Sequence, residues 1–323
     1  MATKTLLKNI SQLVTCDRLA REKRGFSVTT KDLGGLENAW LYMEDGKVKD
    51  YGKQPFPDQY ENSLVQIKDV NHQLVLPGFI DAHTHPLFGG SRAEEFLQKL
   101  QGVSYQQIAK NGGGIQSTIA QSKEADSHLL SVSCLQRLMR FLSWGVTTVE
   151  VKTGYADSVE EELRHLQIYQ SLRHKTPQHL YVTCLALHAL PGNTTSKDVF
   201  IRDMTDTLLP KVRSENLAQA IDVFIEEGYF SLKDSENYLK KGKSLGFDIR
   251  VHADEFSRSG GAQAAVKWGA KSADHLQSAS YEDFCSLASS GVVTTLLPGT
   301  SICTKIPFAD GKKMSDANCA IAV

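Results

Sequence analysis

The stretch Pro77-Gly78-Phe79-Ile80-Asp81-Ala82-His83-Thr84-His85-Pro86 closes an apolar run that begins at Leu74. Its apolar residues, bounded by turn formers, read as a buried strand. Residues two apart on a strand point to the same face, so His83 and His85 present their rings together. Both imidazoles can then reach one ion at roughly 2.0–2.1 Å. Downstream, strand candidates at 146–152, 180–188, 220–226, 248–252, 272–276 and 292–297 follow the first at 74–85. Helix candidates at 127–141, 159–172, 232–245, 261–269 and 281–289 lie between them. Such alternation implies a parallel sheet covered on both faces. Seven units, with an eighth strand starting at Cys319-Ala320-Ile321-Ala322-Val323, fit a (β/α)8 TIM barrel.

Upstream, two strand-like runs, 40–43 and 47–51, flank Glu44-Asp45-Gly46, and Asp-Gly between such runs signals a hairpin. Residues 1–73 therefore read as the N-terminal part of a small composite β domain, sandwich-like, and 74–323 as the barrel. A net charge of -1 gives no whole-chain field for nucleic acid or an anionic membrane. The six cysteines include no CxxC pair, which excludes a zinc ribbon and reads as free thiols of a reducing compartment. The start, MATKTLLKNISQ, lacks a signal-peptide core, and the longest uncharged run, 284–304, is too polar to span a membrane. The expectation is a soluble, cytoplasmic protein.

A barrel of this kind keeps its active site at the C-terminal ends of its strands. Of ten histidines, five fall there: His83 and His85 on the first strand, His188 on the third, His252 on the fifth and His275 on the sixth. A single strand-end histidine is as well explained by burial. Five converging on one rim are not. His252, in Val251-His252-Ala253-Asp254-Glu255, offers a third nitrogen beside the first two. Three protein ligands plus water make an open catalytic metal site. Gly112-Gly113-Gly114 is not followed by Gly-Lys-Ser/Thr, so it is no P-loop.

Residues 77–86 resemble the first-strand signature of the amidohydrolase superfamily. Ala82-His83-Thr84-His85-Pro86 with Arg92 and Glu95-Phe96 carries the resemblance further, to the imidazolonepropionase family. So do Val149-Glu150-Val151-Lys152-Thr153-Gly154-Tyr155, His188-Ala189-Leu190-Pro191, Asp222-Val223-Phe224, His252-Ala253-Asp254-Glu255, Ser272-Ala273-Asp274-His275-Leu276 and Leu296-Leu297-Pro298. Ile225 stands where that family commonly has Cys. Relatives with two metals bridge them by a carboxylated lysine on strand four. Residues 220–227 contain no lysine, which argues for a single ion.

The resemblance implies hydrolysis of a cyclic amide bearing a carboxylate, helped by one Zn2+ or Fe ion. It assigns His83, His85 and His252 to the metal. It makes Glu255 and His275 catalytic, Glu255 bonding the ring and shuttling a proton, His275 orienting water or polarising the carbonyl. Arg92, Tyr155, His188 and Glu255 would bind substrate, with Arg92 taking the carboxylate bidentately. Lys152 would be structural or electrostatic. A fourth ligand, an Asp, is expected beyond Val323, with an Asn-containing loop and the return to the small domain. On that reading 1–323 covers about three quarters of the family's length, and full activity needs the rest. A homodimer is also implied. The competing readings are another mononuclear cyclic amidohydrolase or deaminase, or an inactive truncated form.

Overall fold

Residues 3–16, 30–103, 107–108, 111–192 and 194–323 are described by a computed structural model. The chain forms two compact units, Met1–Gly78 and Phe79–Val323.

The first unit holds β1 (Lys4–Leu13), β2 (Leu36–Glu44), β3 (Lys47–Lys53), β4 (Val65–Asp69) and β5 (Leu74–Val75). β1 pairs antiparallel with β2 and parallel with β4 and β5, while β2 and β3 make the expected hairpin. Asp45 (φ 52°) and Gly46 (φ 71°) both take positive φ, as a type I′ turn requires. The described residues form one mixed sheet, where a sandwich-like unit was expected. β2 alternates Ala39 and Leu41 toward one apolar cluster, Trp40 and Tyr42 toward another. Phe56 and Tyr60 from outside the strands help cover the second cluster.

The run 74–85 is not one strand. Leu74 and Val75 pair with β1, and the barrel begins at Phe79. Pro77 has no N–H to give a ladder and Gly78 adds backbone freedom, so the run breaks there.

The second unit is an eight-stranded sheet in sequential order, every pair parallel. Its strands are β6 (Phe79–Thr84), β7 (Val146–Lys152), β8 (His179–Leu187), β9 (Ala220–Ile225), β10 (Asp248–Ala253), β11 (Ser272–His275), β12 (Val293–Thr295) and β13 (Ala320–Ala322). In a flat sheet, strands five places apart lie about 24 Å from each other. Yet His83 of β6 touches Asp274 of β11 at 2.7 Å. The sheet therefore curls into a near-closed barrel. No ladder joins β6 to β13 among the described residues.

Side-chain caps start several of the covering helices. Ser231 and Ser280 form capping boxes with Asp234 and Asp283, and Ser158 caps Val159–Leu172. A helical segment between β8 and β9, outside the sequence-read helices, runs Lys197–Arg202, a π-type turn Asp203–Leu208, then Leu209–Ser214. Pro210 withholds its N–H from the preceding turn, which accommodates the loss in the wider register.

The helix Gly261–Trp268 packs on β10 through its first residue. A Cβ at Gly261 would stand 2.6 Å from Ala253 Cα. Gly261→Ala should therefore push this helix off the strand that carries His252. The expected cost is roughly 1–3 kcal/mol in urea denaturation. A variant as stable as the parent would refute the close fit.

Candidate active site

The rim of the barrel gathers the residues that the sequence singles out. His83 is the next-to-last residue of β6, and His85 follows that strand directly. His252 is next to last on β10, His275 last on β11, and His188 directly follows β8. Together with Arg92, Tyr155 and Glu255 they line one cavity of about 360 Å³. Phe224, Tyr229, Phe256 and Leu297 supply its apolar wall. A larger groove of about 630 Å³ lies on outer helices and has no histidine in its lining.

Four of the rings have a fixed tautomer. His83 Nδ1 lies 2.7 Å from Asp274 Oδ2, and His252 Nδ1 lies 2.9 Å from Asp222 Oδ2. His85 Nδ1 faces Thr153 O at 3.2 Å, and His188 Nδ1 faces Gly154 O at 3.1 Å. Every one of these partners only accepts, so each Nδ1 carries the proton. Each Nε2 is left with a lone pair. Gly154, at φ 120°, is needed here, because a Cβ would meet His188 Nδ1 at 2.7 Å.

His85 Nε2 and His252 Nε2 stand 3.3 Å apart. Two lone pairs at that distance repel unless a cation lies between them. Two nitrogen ligands on a tetrahedral ion, each at about 2.05 Å, are separated by roughly 3.3 Å. The pair fits a metal. Ring nitrogens of His83, His252 and His275 also lie within 4.8 Å of one another, as do those of His85, His188 and His252. The two groups share His252, so the expected ligands His83, His85 and His252 are divided between them. Ligand histidines must be neutral. Burial, reinforced by the neighbouring rings, holds His85 and His252 well below the ordinary histidine value. Burial likewise lowers His275 to about 3 and His188 to about 4.

Below the rings sits a buried ion cluster. Lys152 Nζ donates to Asp222 Oδ2 at 2.7 Å and Glu150 Oε1 at 3.1 Å, and lies 3.3 Å from Asp274 Oδ2. Asp222 and Asp274 are the carboxylates that hold His252 and His83. Arg250 Nε lies 2.8 Å from Glu150.

Glu255 lies 3.5 Å from His275 Nδ1, which has no hydrogen bond among the described residues. Burial, then the nearby Glu226, pushes the Glu255 carboxyl up to about 8. Glu226 accepts from Phe256 N at 2.9 Å and from Ser257, pinning the loop that carries Glu255. Asp254 accepts from the first amides of the helix at Gly260, Gly261 and Ala262, at 2.9–3.0 Å. These donors have no partner within the helix, and the carboxylate also suits its positive end. His275 (φ 79°) and Leu276 (φ 63°) are both left-handed, a strained conformation that concentrates at functional sites. Arg92 is exposed at the cavity edge, at the start of the helix Ala93–Leu100.

No family model matches the chain. Imidazolonepropionase from Clostridium tetani is 39% identical over 320 residues, covering 98% of this chain and 76% of that protein. The enzyme from Bdellovibrio bacteriovorus is also 39% identical over 320 residues, 98% of this chain and 75% of that one. That from Bacillus thuringiensis is 41% identical over 324 residues, 99% and 75%. The chain belongs to the imidazolonepropionase family. It is thus a hydrolase acting on carbon–nitrogen bonds, and spans about three quarters of the length of these relatives. Among solved structures, a triazine hydrolase variant superimposes at TM-score 0.70 with 13% identity, over 99% of this chain and 70% of that one. A guanine deaminase from C. acetobutylicum does so at 0.64 with 13% identity, over 99% and 73%. At that identity the likeness concerns the fold alone. No helix among the described residues is long and apolar enough to cross a membrane.

For an imidazolonepropionase-family site, sequence reading underrated Glu150, Asp222, Glu226 and Asp274, and missed Glu162. A signal existed. Glu150, Asp222 and Asp274 are carboxylates inside otherwise apolar strands, and such charges are buried only when paired. Glu162, on the helix Val159–Leu172, accepts from Thr153 Oγ1 and from Cys184 Sγ at 3.6 Å. It thereby fixes the residue whose carbonyl holds His85.

Burial pushes the Glu162 carboxyl from 4.5 up to about 7. The folded state then binds this proton more tightly than the unfolded chain. The resulting penalty is absent below pH 4.5 and grows until about pH 7. Glu162→Gln removes it. Urea denaturation of the parent should lose on the order of 3 kcal/mol over that window beyond any loss in the variant. Identical pH profiles would rule this out.

Proposed function

We propose that the protein hydrolyses 4-imidazolone-5-propanoate to N-formimino-L-glutamate, a ring-opening step of histidine degradation. On this reading one Zn2+ or Fe ion is held by His83, His85 and His252, with Glu255 and His275 catalytic. The facing Nε2 lone pairs of His85 and His252, 3.3 Å apart, are the observation that carries it. A lactam carbonyl is a poor electrophile and neutral water a poor nucleophile. An ion bound there supplies an acidified water and a Lewis acid.

The chain's own residues do the rest. Arg92 takes the propionate carboxylate with its guanidinium fork, a match of two parallel hydrogen bonds. Tyr155 donates to the same carboxylate or to the ring, and His188, whose Nδ1 proton is held by Gly154 O, accepts from a ring N–H through its Nε2 lone pair. Glu255 hydrogen-bonds the ring and carries a proton from the attacking water to the departing nitrogen. The amide C–N bond breaks, the nitrogen leaves with that proton, and the carbonyl carbon keeps the hydroxyl oxygen. His275, neutral and beside Glu255, orients the water or polarises the carbonyl. Phe224 and Phe256 help keep bulk water out of the cavity.

The six free cysteines, three of them buried, support a reducing, cytoplasmic location. A homodimer follows from family resemblance, and light scattering tests it.

Dialysis against a chelator should abolish turnover, and Zn2+ or Fe2+ should restore it. Full activity without metal would sink the reading. Arg92→Ala should raise KM for imidazolonepropionate roughly 10- to 100-fold and leave kcat within a few-fold. An unchanged KM would favour another cyclic amidohydrolase or a deaminase whose substrate carries no carboxylate. Glu255→Gln should lower kcat by about 10²–10⁴-fold in steady-state assays, the range of a lost proton carrier.

A further inference from the structure

The interior of the barrel contains more metal-ligand chemistry than one ion requires. Besides the two histidine groups, His83, Glu150 and Asp274 place ligand atoms within 4.8 Å of one another. This third group lies below the rings and is closed from solvent, with Glu150 3% and Asp274 0% exposed. Both carboxylates keep an oxygen in reserve. Glu150 Oε2 and Asp274 Oδ1 are buried without a hydrogen-bond partner among the described residues. Three carboxylates, Glu150, Asp222 and Asp274, around one small volume are what a hard or borderline divalent ion prefers.

The volume already contains a cation. Lys152 Nζ sits 2.7 Å from Asp222, 3.1 Å from Glu150 and 3.3 Å from Asp274. Its stem comes from β7, across the barrel from Asp274 on β11. An ammonium is a compact point charge with three donors, so it can address three carboxylates at once.

We propose that the Lys152 ammonium fills the seat of a second metal ion and so restricts the histidine cluster to one. Lys152 is then a positioning residue. Its charge is shared by Asp222 and Asp274, which hold the Nδ1 protons of His252 and His83 and so aim both Nε2 atoms at the cavity. Without that charge, only Arg250 would face three buried carboxylates, and a second divalent ion would be drawn in. The inference rests on the one-ion reading of the site above.

Metal stoichiometry separates the two. Metal-free protein is titrated with Co2+, the bound ion is counted per chain by elemental analysis, and the visible absorption of the complex is recorded. The parent and Lys152→Arg are expected to bind one Co2+ per chain with one spectrum. Lys152→Ala and Lys152→Met are expected to bind two, with a second set of absorption bands. Adding Glu150→Gln to Lys152→Ala should return the count to one. A parent that binds two ions refutes the one-ion reading itself. A parent and an uncharged variant that both bind one, with the same spectrum, overturn the inference and leave that reading intact. If circular dichroism shows that neither uncharged variant folds, Lys152→Arg decides. Two ions bound by the arginine variant overturn the inference, and one ion with the parental spectrum supports it, because charge alone then suffices.

Discussion

A lysine with no exposed surface, Lys152, meets Glu150, Asp222 and Asp274 inside the barrel, and the geometry of the rim depends on that meeting. Any one of these charges alone would be costly to bury. Together they are tolerable only while each keeps its partners, because removing one leaves the others uncompensated. The cluster therefore ties β7, β9 and β11 to each other inside the barrel. Proximity to Lys152 holds Asp274 ionised, far below the ordinary carboxylate range, and keeps Asp222 low as well, despite burial. Both are then permanent acceptors for the rings above.

The ring nitrogens inherit their direction from this floor. Asp222 and Asp274 fix His252 and His83, while the carbonyls of Thr153 and Gly154 fix His85 and His188. Two kinds of acceptor, charged and neutral, thus enforce the same tautomer on four rings. Such outer partners set ligand orientation and basicity in metal sites generally. Glu162 supports Thr153, and Glu226 pins the loop of Glu255, so the supports themselves are supported. Burial does complementary work. It disfavours the imidazolium form, leaving lone pairs, and raises the proton affinity of the Glu255 carboxylate, which suits it to take up a proton and pass it on.

Much of this was legible in the chain. The strands at 146–152 and the helices at 159–172 and 281–289 match the structure residue for residue, because their apolar runs end at glycines or serine caps. The first barrel strand is shorter than the apolar run that contains it. Its apolar character continues through Leu74 and Val75, and only pairing with β1 shows that these two serve the other sheet. The rim histidines were found because chemistry-bearing residues sit at strand ends, a position that sequence alternation reveals.

Sequence by itself determined the alternating elements, the HxH pair and the side chains able to bind a carboxylate and a metal. It did so because periodicity and local turn chemistry are properties of neighbours along the chain. Only the tertiary structure decided which residues hold the histidines. Lys152, Asp222 and Asp274 are 70 and 52 residues apart in succession, and no local pattern connects them. They meet because eight parallel strands curl until opposite walls touch, and buried charges then have no choice of partner but each other.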